Sequence, residues 1–341
     1  MPNAYLSGTG SYVPDQVVTN DDLCEKYGID TTNEWIVQRT GIEERRFAPE
    51  GWCSADLAVP AAENAIENAG LTKEDIDMIV FATLSPKHAF PGDGVYLQEK
   101  LGFCEMGRFV PALDVRNQCS GFLYGLAAAS SMVQSGMVKN VLLVGAETHS
   151  AALDLTTRGR TVASLFGDGA AAVVVSATEE DRGVRGWYLG ADGRFADKLC
   201  QKVWDMTKRP FMPQNEEGEG LSDAEHMWAH MEGRHVFKNA VERMVLSLTS
   251  ACWDQKLDLA DIDLFCFHQA NMRINQMVAD MMKIPEEKLI HNIHRYGNTT
   301  AATIPLLLDE ANRSGRLKPG SKVACTGFGS GFTWGTAILD W

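Results

Sequence analysis

The sequence predicts an α/β protein made of two related halves, residues 1–178 and 179–341, each a helix-covered sheet, with the two sheets stacked. Three observations carry this. Short, continuously apolar runs alternate with helical patterns along the whole chain. The stretch Leu71-Thr-Lys-Glu-Asp-Ile-Asp-Met-Ile-Val-Phe81 returns 186 residues later as Leu257-Asp-Leu-Ala-Asp-Ile-Asp-Leu-Phe-Cys-Phe267. Two further pairs recur at nearly that offset: Asn140-Val-Leu-Leu-Val-Gly145 with Ser321-Lys-Val-Ala-Cys-Thr-Gly327, and 108–136 with 290–311.

In chain order, a helix over 55–69 is closed by Gly70. The Asp-Ile-Asp turn then feeds an apolar run ending at Phe81, the mark of a strand buried on both faces. A strand over 109–115 leads through Cys119 to a helix that Gly136 caps, in which Gly125 and Ala127–Ala129 allow close packing between sheets. The second half repeats the scheme, with a helix over 236–252, a strand ending at Phe267 and a helix over 272–282. Segment 290–311 should again run strand, turn, helix. Residues 194–229 fit no element and are expected to form an excursion; their Leu199, Val203, Trp204, Met206, Phe211, Met212, Met227 and Trp228 suit the wall of an alkyl pocket.

Composition narrows the function. Hydrophobic residues make up 45% and charged residues 22% of 341, enough for a large core. The net charge of −14 argues against nucleic acid or an anionic membrane as a partner. No apolar run reaches the roughly 18–20 residues of a membrane span, and residues 1–12 lack a signal-peptide pattern, so a cytoplasmic location is expected. The eight cysteines include no CxxC pair and read as free thiols, without a metal centre. His226 and His230 have i,i+4 spacing but no glutamate after the first histidine, and His291 and His294 lie in an unpatterned turn.

Cys119 stands between a strand and a helix, where the helix N-terminus favours a thiolate. By position alone it reads equally as a nucleophile or as a small buried cysteine at a tight turn. His268 occupies the matching junction of the other half, at the strand ends where α/β sites gather, and alone reads more readily as a core or capping histidine. Asn298 falls opposite Cys119 in the third repeat pair, and alone it is an ordinary turn asparagine. Gly327-Phe-Gly-Ser-Gly331 offers backbone N–H groups suited to an oxyanion hole rather than a dinucleotide site.

The separate motifs Trp35-Ile-Val-Gln-Arg-Thr-Gly-Ile42, Cys119-Ser-Gly121, Phe166-Gly-Asp-Gly-Ala170, His268-Gln-Ala-Asn-Met-Arg273, Gly297-Asn-Thr299 and Gly327-Phe-Gly-Ser-Gly-Phe-Thr-Trp-Gly335 occur in order along the chain. Together they resemble β-ketoacyl-acyl-carrier-protein synthase III, of the thiolase superfamily. The resemblance implies a duplicated thiolase-like fold of two stacked mixed sheets in an αβαβα layering. It implies Cys119, His268 and Asn298 as catalytic residues, and backbone N–H groups of Cys119 and Ser330 as the oxyanion hole. Coenzyme A would meet Trp35, Arg39, Thr40, Arg160, Gly233, Phe237 and Asn271. Phe90, Phe166 and Phe328 would form the acyl pocket, with Phe90 reaching into a partner subunit of a homodimer. Lys238 and Arg273 would attract an acidic carrier. No cofactor is implied, since acyl-CoA is a substrate; malonyl-acyl carrier protein is the implied extender.

Two departures stand out. Asn117 and Gln118 precede Cys119 where small apolar residues are common, predicting a more polar local pocket. Asp280, Met281 and Met282 replace carrier-binding lysines, leaving Lys238, Arg273 and Lys283 as a thinner patch. The competing expectation is an acyltransferase that passes the acyl group to an alcohol or amine without decarboxylation. Asn298 speaks against it, because stabilising an enolate is what requires two side-chain donors.

Overall fold

A computed structural model describes residues 1–203, 206–207 and 228–341. Strands of the first half are β1 (Asn3–Tyr12), β2 (Gln16–Thr19), β3 (Glu44–Phe47), β4 (Met78–Ala82), β5 (Ala112–Val115), β6 (Asn140–Glu147) and β7 (Gly169–Thr178). Those of the second are β8 (Gly183–Ala191), β9 (Leu199–Cys200), β10 (His230–Met231), β11 (Leu264–Phe267), β12 (Lys322–Gly329) and β13 (Thr333–Asp340). The helices are α1 (Asn20–Glu25), α2 (Asn33–Thr40), α3 (Ser54–Asn68), α4 (Asp93–Lys100), α5 (Gly121–Gln134), α6 (Arg160–Ala163), α7 (Gly233–Asp254), α8 (Met272–Met282), α9 (Ile293–Tyr296) and α10 (Thr303–Arg313).

The duplication is visible in the sheets. The first has the order β1-β7-β6-β4-β5 and the second β8-β13-β12-β11, the same order with the last place nearly empty. That place is held by one residue, Leu289, bridged in parallel to Phe265. The strand expected at the start of 290–311 is therefore absent. Only four residues lie between the 3-10 turn Glu286–Lys288 and α9, and of these only Leu289 pairs with the sheet.

Both sheets are mixed, as the resemblance implies. The strand-helix alternation alone suggested parallel sheets, and β4 does pair in parallel with β5 and β6, as β11 does with β12. The pairs β6–β7 and β12–β13 are antiparallel. Only residues 330–332 join β12 to β13, which is too short for a crossover.

Layering follows the apolar faces. Helices α3 and α4 cover the outer face of the first sheet through Leu57, Ala61, Ala65 and Leu97. Helices α7 and α8 cover the outer face of the second through Met244, Leu248, Ile274 and Val278. Between the sheets lie α5 and α10, whose Phe122, Leu123, Leu126, Ile304, Leu307 and Leu308 belong to one core with residues of both sheets. Helix α5 packs tightly because Gly125 has no side chain; a Cβ there would stand 2.7 Å from Leu143 Cδ1. Among the described residues no helix is long and apolar enough to cross a membrane. Of the 194–229 stretch, residues 204–205 and 208–227 lie outside the described residues, among them Trp204, Phe211, Met212, Met227 and His226.

Candidate active site

Cys119 sits in the 3-10 turn Gln118–Ser120 that carries β5 into α5. The turn begins with Gln118 at φ 46°, a left-handed conformation that costs a non-glycine residue energy. The turn lies hard against β12, where a Cβ on Gly329 would stand 2.8 Å from Cys119 Cβ. Alternate residues of a strand face one side. Gly327, two before Gly329, would place its Cβ 3.4 Å from His268 Cβ, so Cys119 and His268 lie over the same face of β12.

His268 follows β11, and its ring is buried. Its Nδ1 lies 2.7 Å from Thr303 Oγ1, whose single hydrogen goes to the Thr300 carbonyl at 3.0 Å. The hydroxyl can therefore only accept, which assigns the imidazole hydrogen to Nδ1. Nε2 is buried, has no hydrogen-bond partner among the described residues, and carries the lone pair. Burial holds the ring neutral, its pKa pushed down to about 3. The neutral donor expected at this position thus becomes an acceptor until it gains a proton.

Asn298 enters from a crossing of two segments. Phe166 and Asn298 form a parallel bridge in which Asn298 N donates to Leu165 O at 2.8 Å and Gly167 N donates to Asn298 O at 3.2 Å. Gly297, at φ 63° and ψ −155°, makes the bend that only glycine adopts readily. The amide oxygen of Asn298 accepts from Thr300 N at 2.9 Å, which leaves its NH₂ as the free edge. The fold does not place Asn298 opposite Cys119. The 3-10 turn Thr300–Ala302, opening at φ 47° on Thr300, is the counterpart of Gln118–Ser120, so Ala301 matches Cys119 and Asn298 lies three residues before it.

These three side chains meet in one apolar cavity of about 130 Å³. Its walls include Gly233, Phe237, Asn271, Phe166 and Phe328, all expected at the substrate, together with Leu199, Met231, Met244 and Ile274. Burial pushes the Cys119 thiol up to about 12, and the Glu147 carboxylate adds to this. The N–H groups of Cys119 and Ser330 and the Thr300 hydroxyl act in the opposite direction. The helix terminus therefore offsets only part of the desolvation, and the resting group is a thiol, contrary to the expected thiolate. The same two N–H groups, which favour the charged sulfur, are those expected to hold an oxyanion.

Other expected residues fall elsewhere. Trp35, Arg39 and Arg160 cluster at the surface, with the Arg39 and Arg160 guanidinium carbons 4.4 and 5.3 Å from the indole centroid. Arg160 also donates to Asp30 O at 2.9 Å. Thr40 does not line the cavity: its buried hydroxyl donates to Ile36 O and accepts from Ile42 N inside the end of α2. Asn271 caps α8 through Arg273 N and donates to Arg39 O at 3.0 Å, tying the Trp35 helix to the cavity wall. Phe90 is 85% exposed in this chain and lines no part of its own cavity. Lys238 is exposed on α7, and the Arg273 guanidinium lies 5.8 Å from the Phe237 ring. Asn117 and Gln118 do not line this cavity; Asn117 donates to Ser120 Oγ, while Gln118 donates to Arg116 O and lines the neighbouring depression, where it adds a polar group. Cys325, buried in β12 beside Cys266, stays away from the cavity.

Five residues around the site have no motif that singles them out. Thr300 and Thr303 look like filler in a run of small residues. Glu147 is fully buried at the end of β6, accepts from Leu84 N, Ser85 N and the Thr83 and Ser85 hydroxyls, and is raised to about 7 by burial. His149, two residues on, is buried and neutral. Arg45, also fully buried, donates to Val18 O, Asn20 Oδ1 and Ser164 O beneath the Asn298 crossing. A charged or imidazole residue directly after an apolar strand was the available signal for Glu147 and His149.

Residues 113–193 match the model of 3-oxoacyl-[acyl-carrier-protein (ACP)] synthase III, and residues 252–341 match that of its C-terminal part. A β-ketoacyl-[acyl-carrier-protein] synthase III 1 of Vibrio parahaemolyticus is 43% identical over 334 residues, 98% of either chain. A β-ketoacyl-[acyl-carrier-protein] synthase III of Fusobacterium nucleatum is 41% identical over 341 residues, covering 100% of this chain and 99% of that one. Among solved structures, 3-oxoacyl-[acyl-carrier-protein] synthase III of Aquifex aeolicus superposes with a TM-score of 0.86 at 37% identity, covering 99% of this chain and 100% of its own. The priming β-ketosynthase of the R1128 polyketide pathway gives 0.87 at 30%, covering 99% and 96%.

Proposed function

Because the chain belongs to the β-ketoacyl-[acyl-carrier-protein] synthase III family, we propose that Cys119, His268 and Asn298 carry out its condensation in two half-reactions. The protein is a condensing enzyme that makes β-ketoacyl thioesters in fatty-acid biosynthesis. The observation that carries the residue assignment is the convergence of these three groups, from separate elements, on one apolar cavity.

In the first half-reaction Cys119 sulfur attacks the thioester carbon of an acyl-CoA while its proton passes to His268 Nε2. The N–H groups of Cys119 and Ser330 hold the oxyanion, and CoA leaves as a thiolate that takes a proton from water. In the second, a malonyl thioester on acyl carrier protein enters, and its carboxylate balances the imidazolium. Loss of carbon dioxide leaves an enolate that accepts hydrogen bonds from His268 Nε2–H and Asn298 Nδ2. Its carbon attacks the acyl carbonyl, the C–S bond to Cys119 breaks, and the thiolate recovers its proton from His268. One proton is consumed per turnover, and no bound cofactor takes part.

Coenzyme A enters past Trp35, Arg39 and Arg160, with Gly233, Phe237 and Asn271 along its pantetheine arm. Lys238 and Arg273 face the acidic carrier, and a homodimer brings Phe90 to the partner's acyl pocket. A second depression of about 740 Å³ shares Phe166, Leu199 and Met231 with the catalytic cavity. That continuity supports a starter longer than acetyl, which competition between acetyl-CoA and octanoyl-CoA for Cys119 would read directly; faster acetyl loading overturns it. Substituting Asn298→Ala tests the two-step scheme. Acylation of Cys119 should survive while decarboxylation and condensation collapse; loss of both steps together would refute the assignment.

A further inference from the structure

Among the described residues, the catalytic cavity and the depression of about 740 Å³ meet at Phe166, Leu199 and Met231. Two of these are one cross-strand pair, because Leu199 and Met231 are register partners in the ladder of β9 with β10. Glu232 N donates to Lys198 O at 2.8 Å, so the ladder's hydrogen bonds flank that pair. Leu199 and Met231 therefore form a non-hydrogen-bonded pair, with side chains close together on one face and carbonyls pointing away from the partner strand. The Leu199 carbonyl accepts instead from the Ser330 hydroxyl.

Ser330 is fastened on its other side to the turn that carries the nucleophile. Its carbonyl accepts from Thr333 Oγ1 at 2.9 Å, and that oxygen lies 2.7 Å from Ser120 Oγ, beside Cys119. One side-chain hydrogen bond thus ties the Leu199–Met231 pair to the residue whose N–H is expected at the oxyanion. The third wall is also held, since the Phe166 ring lies 4.7 Å from that of His149. With a pantetheine arm along Gly233, Phe237 and Asn271, an acyl tail on Cys119 extends the other way, between Phe166, Leu199 and Met231 toward the depression.

We propose that Ser330 is a positioning residue for starter selection, whose hydroxyl fixes the Leu199–Met231 pair and so the width of the passage an acyl tail must cross. A straight alkyl chain crosses without moving the pair. A ring-bearing chain pushes Leu199 aside, and the displacement reaches Ser330 through the same hydrogen bond. The oxyanion N–H then moves off its position, so a wide starter loses acylation rate even at saturation. Starters that suit the passage are straight-chain acyl-CoAs. The inference rests on the reading of Cys119 as the acyl carrier.

The test follows acylation of Cys119 in the full chain by mass at short times, with saturating acetyl-, octanoyl- or 4-phenylbutanoyl-CoA, each variant being checked first for a wild-type melting transition. Acetyl is too short to reach the passage and serves as the reference. Wild type should load octanoyl about tenfold faster than 4-phenylbutanoyl. Ser330→Ala, which keeps the N–H, should raise the ratio of 4-phenylbutanoyl to acetyl loading about fivefold, the worth of one neutral hydrogen bond. Ser330→Thr, which keeps the hydroxyl, should stay near the wild-type ratio. Leu199→Ala should raise the ratio at least as far as Ser330→Ala, and combining the two should bring no further gain. Equal loading of the two long starters by wild type would overturn the proposal. So would a ratio in folded Ser330→Ala no higher than wild type, which includes the case of all starters slowing equally through a damaged oxyanion hole. Additive gains in the double variant, or an equal rise in Ser330→Thr, would overturn it as well. If Ser330→Ala fails to fold, Ser330→Gly, which likewise keeps the N–H, takes its place under the same expectations. Failure of the parent reading looks different, because no starter would then leave an adduct on Cys119 in any of these proteins.

Discussion

His268 Nδ1 lies 2.7 Å from Thr303 Oγ1, and that contact decides which nitrogen of the imidazole faces the substrate. With the hydrogen fixed on Nδ1, the free Nε2 is a base first and a donor only after it has taken the Cys119 proton. In the proposed mechanism one histidine thereby serves both half-reactions in sequence.

Replacing Thr303 by valine keeps the volume and removes the acceptor. The ring then loses its fixed tautomer, and kcat for condensation should fall about tenfold, the worth of one neutral hydrogen bond. KM for acyl-CoA should stay constant, and Thr303→Ser should recover the rate. Steady-state kinetics on the three proteins check this.

At the proposed coenzyme A entrance, Arg160 and Arg39 both lie over the Trp35 ring and supply positive charge in a chain of net charge −14. Arg160→Ala should raise KM for acyl-CoA about tenfold, with acylation at saturation little changed. Titrating acyl-CoA against the rate of Cys119 loading measures it. An unchanged KM would make Arg160 a structural partner of Asp30, to whose carbonyl it already donates.

Stability should depend on pH through the two buried histidines. His149 and His268 are each pushed from 6.5 down to about 3 by burial. Between those values the unfolded chain binds protons that the folded chain refuses, so their contribution is complete above pH 6.5 and is lost as pH falls. Glu147, raised from 4.5 to about 7, has the opposite sign and lowers stability as pH rises through that window. Comparing His149→Gln with wild type isolates one histidine. Urea unfolding at pH 7.5 and 5.5 should show the wild type losing about 1 kcal/mol more than the variant over this interval.

Much of this architecture was legible in the sequence because buried strands leave continuous apolar runs, and a duplicated pair of them fixes an offset. The 71–81 and 257–267 repeat located β4 and β11, hence the junction that carries His268. The missing strand at Leu289 was not legible, since a single bridge leaves no run to detect. Cys119, His268 and Asn298 came as separate weak signals that the motif set joined. Their supports were invisible for another reason. Thr300, Thr303 and Glu147 act through contacts between residues over a hundred positions apart or through one hydroxyl's direction, which no local pattern encodes. The resting thiol at Cys119 is not legible in the sequence, because a helix terminus shows there whereas desolvation arises only once the cavity is closed.

The central claim is that Cys119 carries the acyl group between the two half-reactions. The most direct measurement is the intact mass of the protein after brief exposure to acyl-CoA without extender, followed by peptide mapping. One acyl group should be found on Cys119, should disappear when malonyl-acyl carrier protein is added, and should be absent from Cys119→Ser. A stable acyl group on any other of the eight cysteines, or turnover by Cys119→Ser, would contradict it.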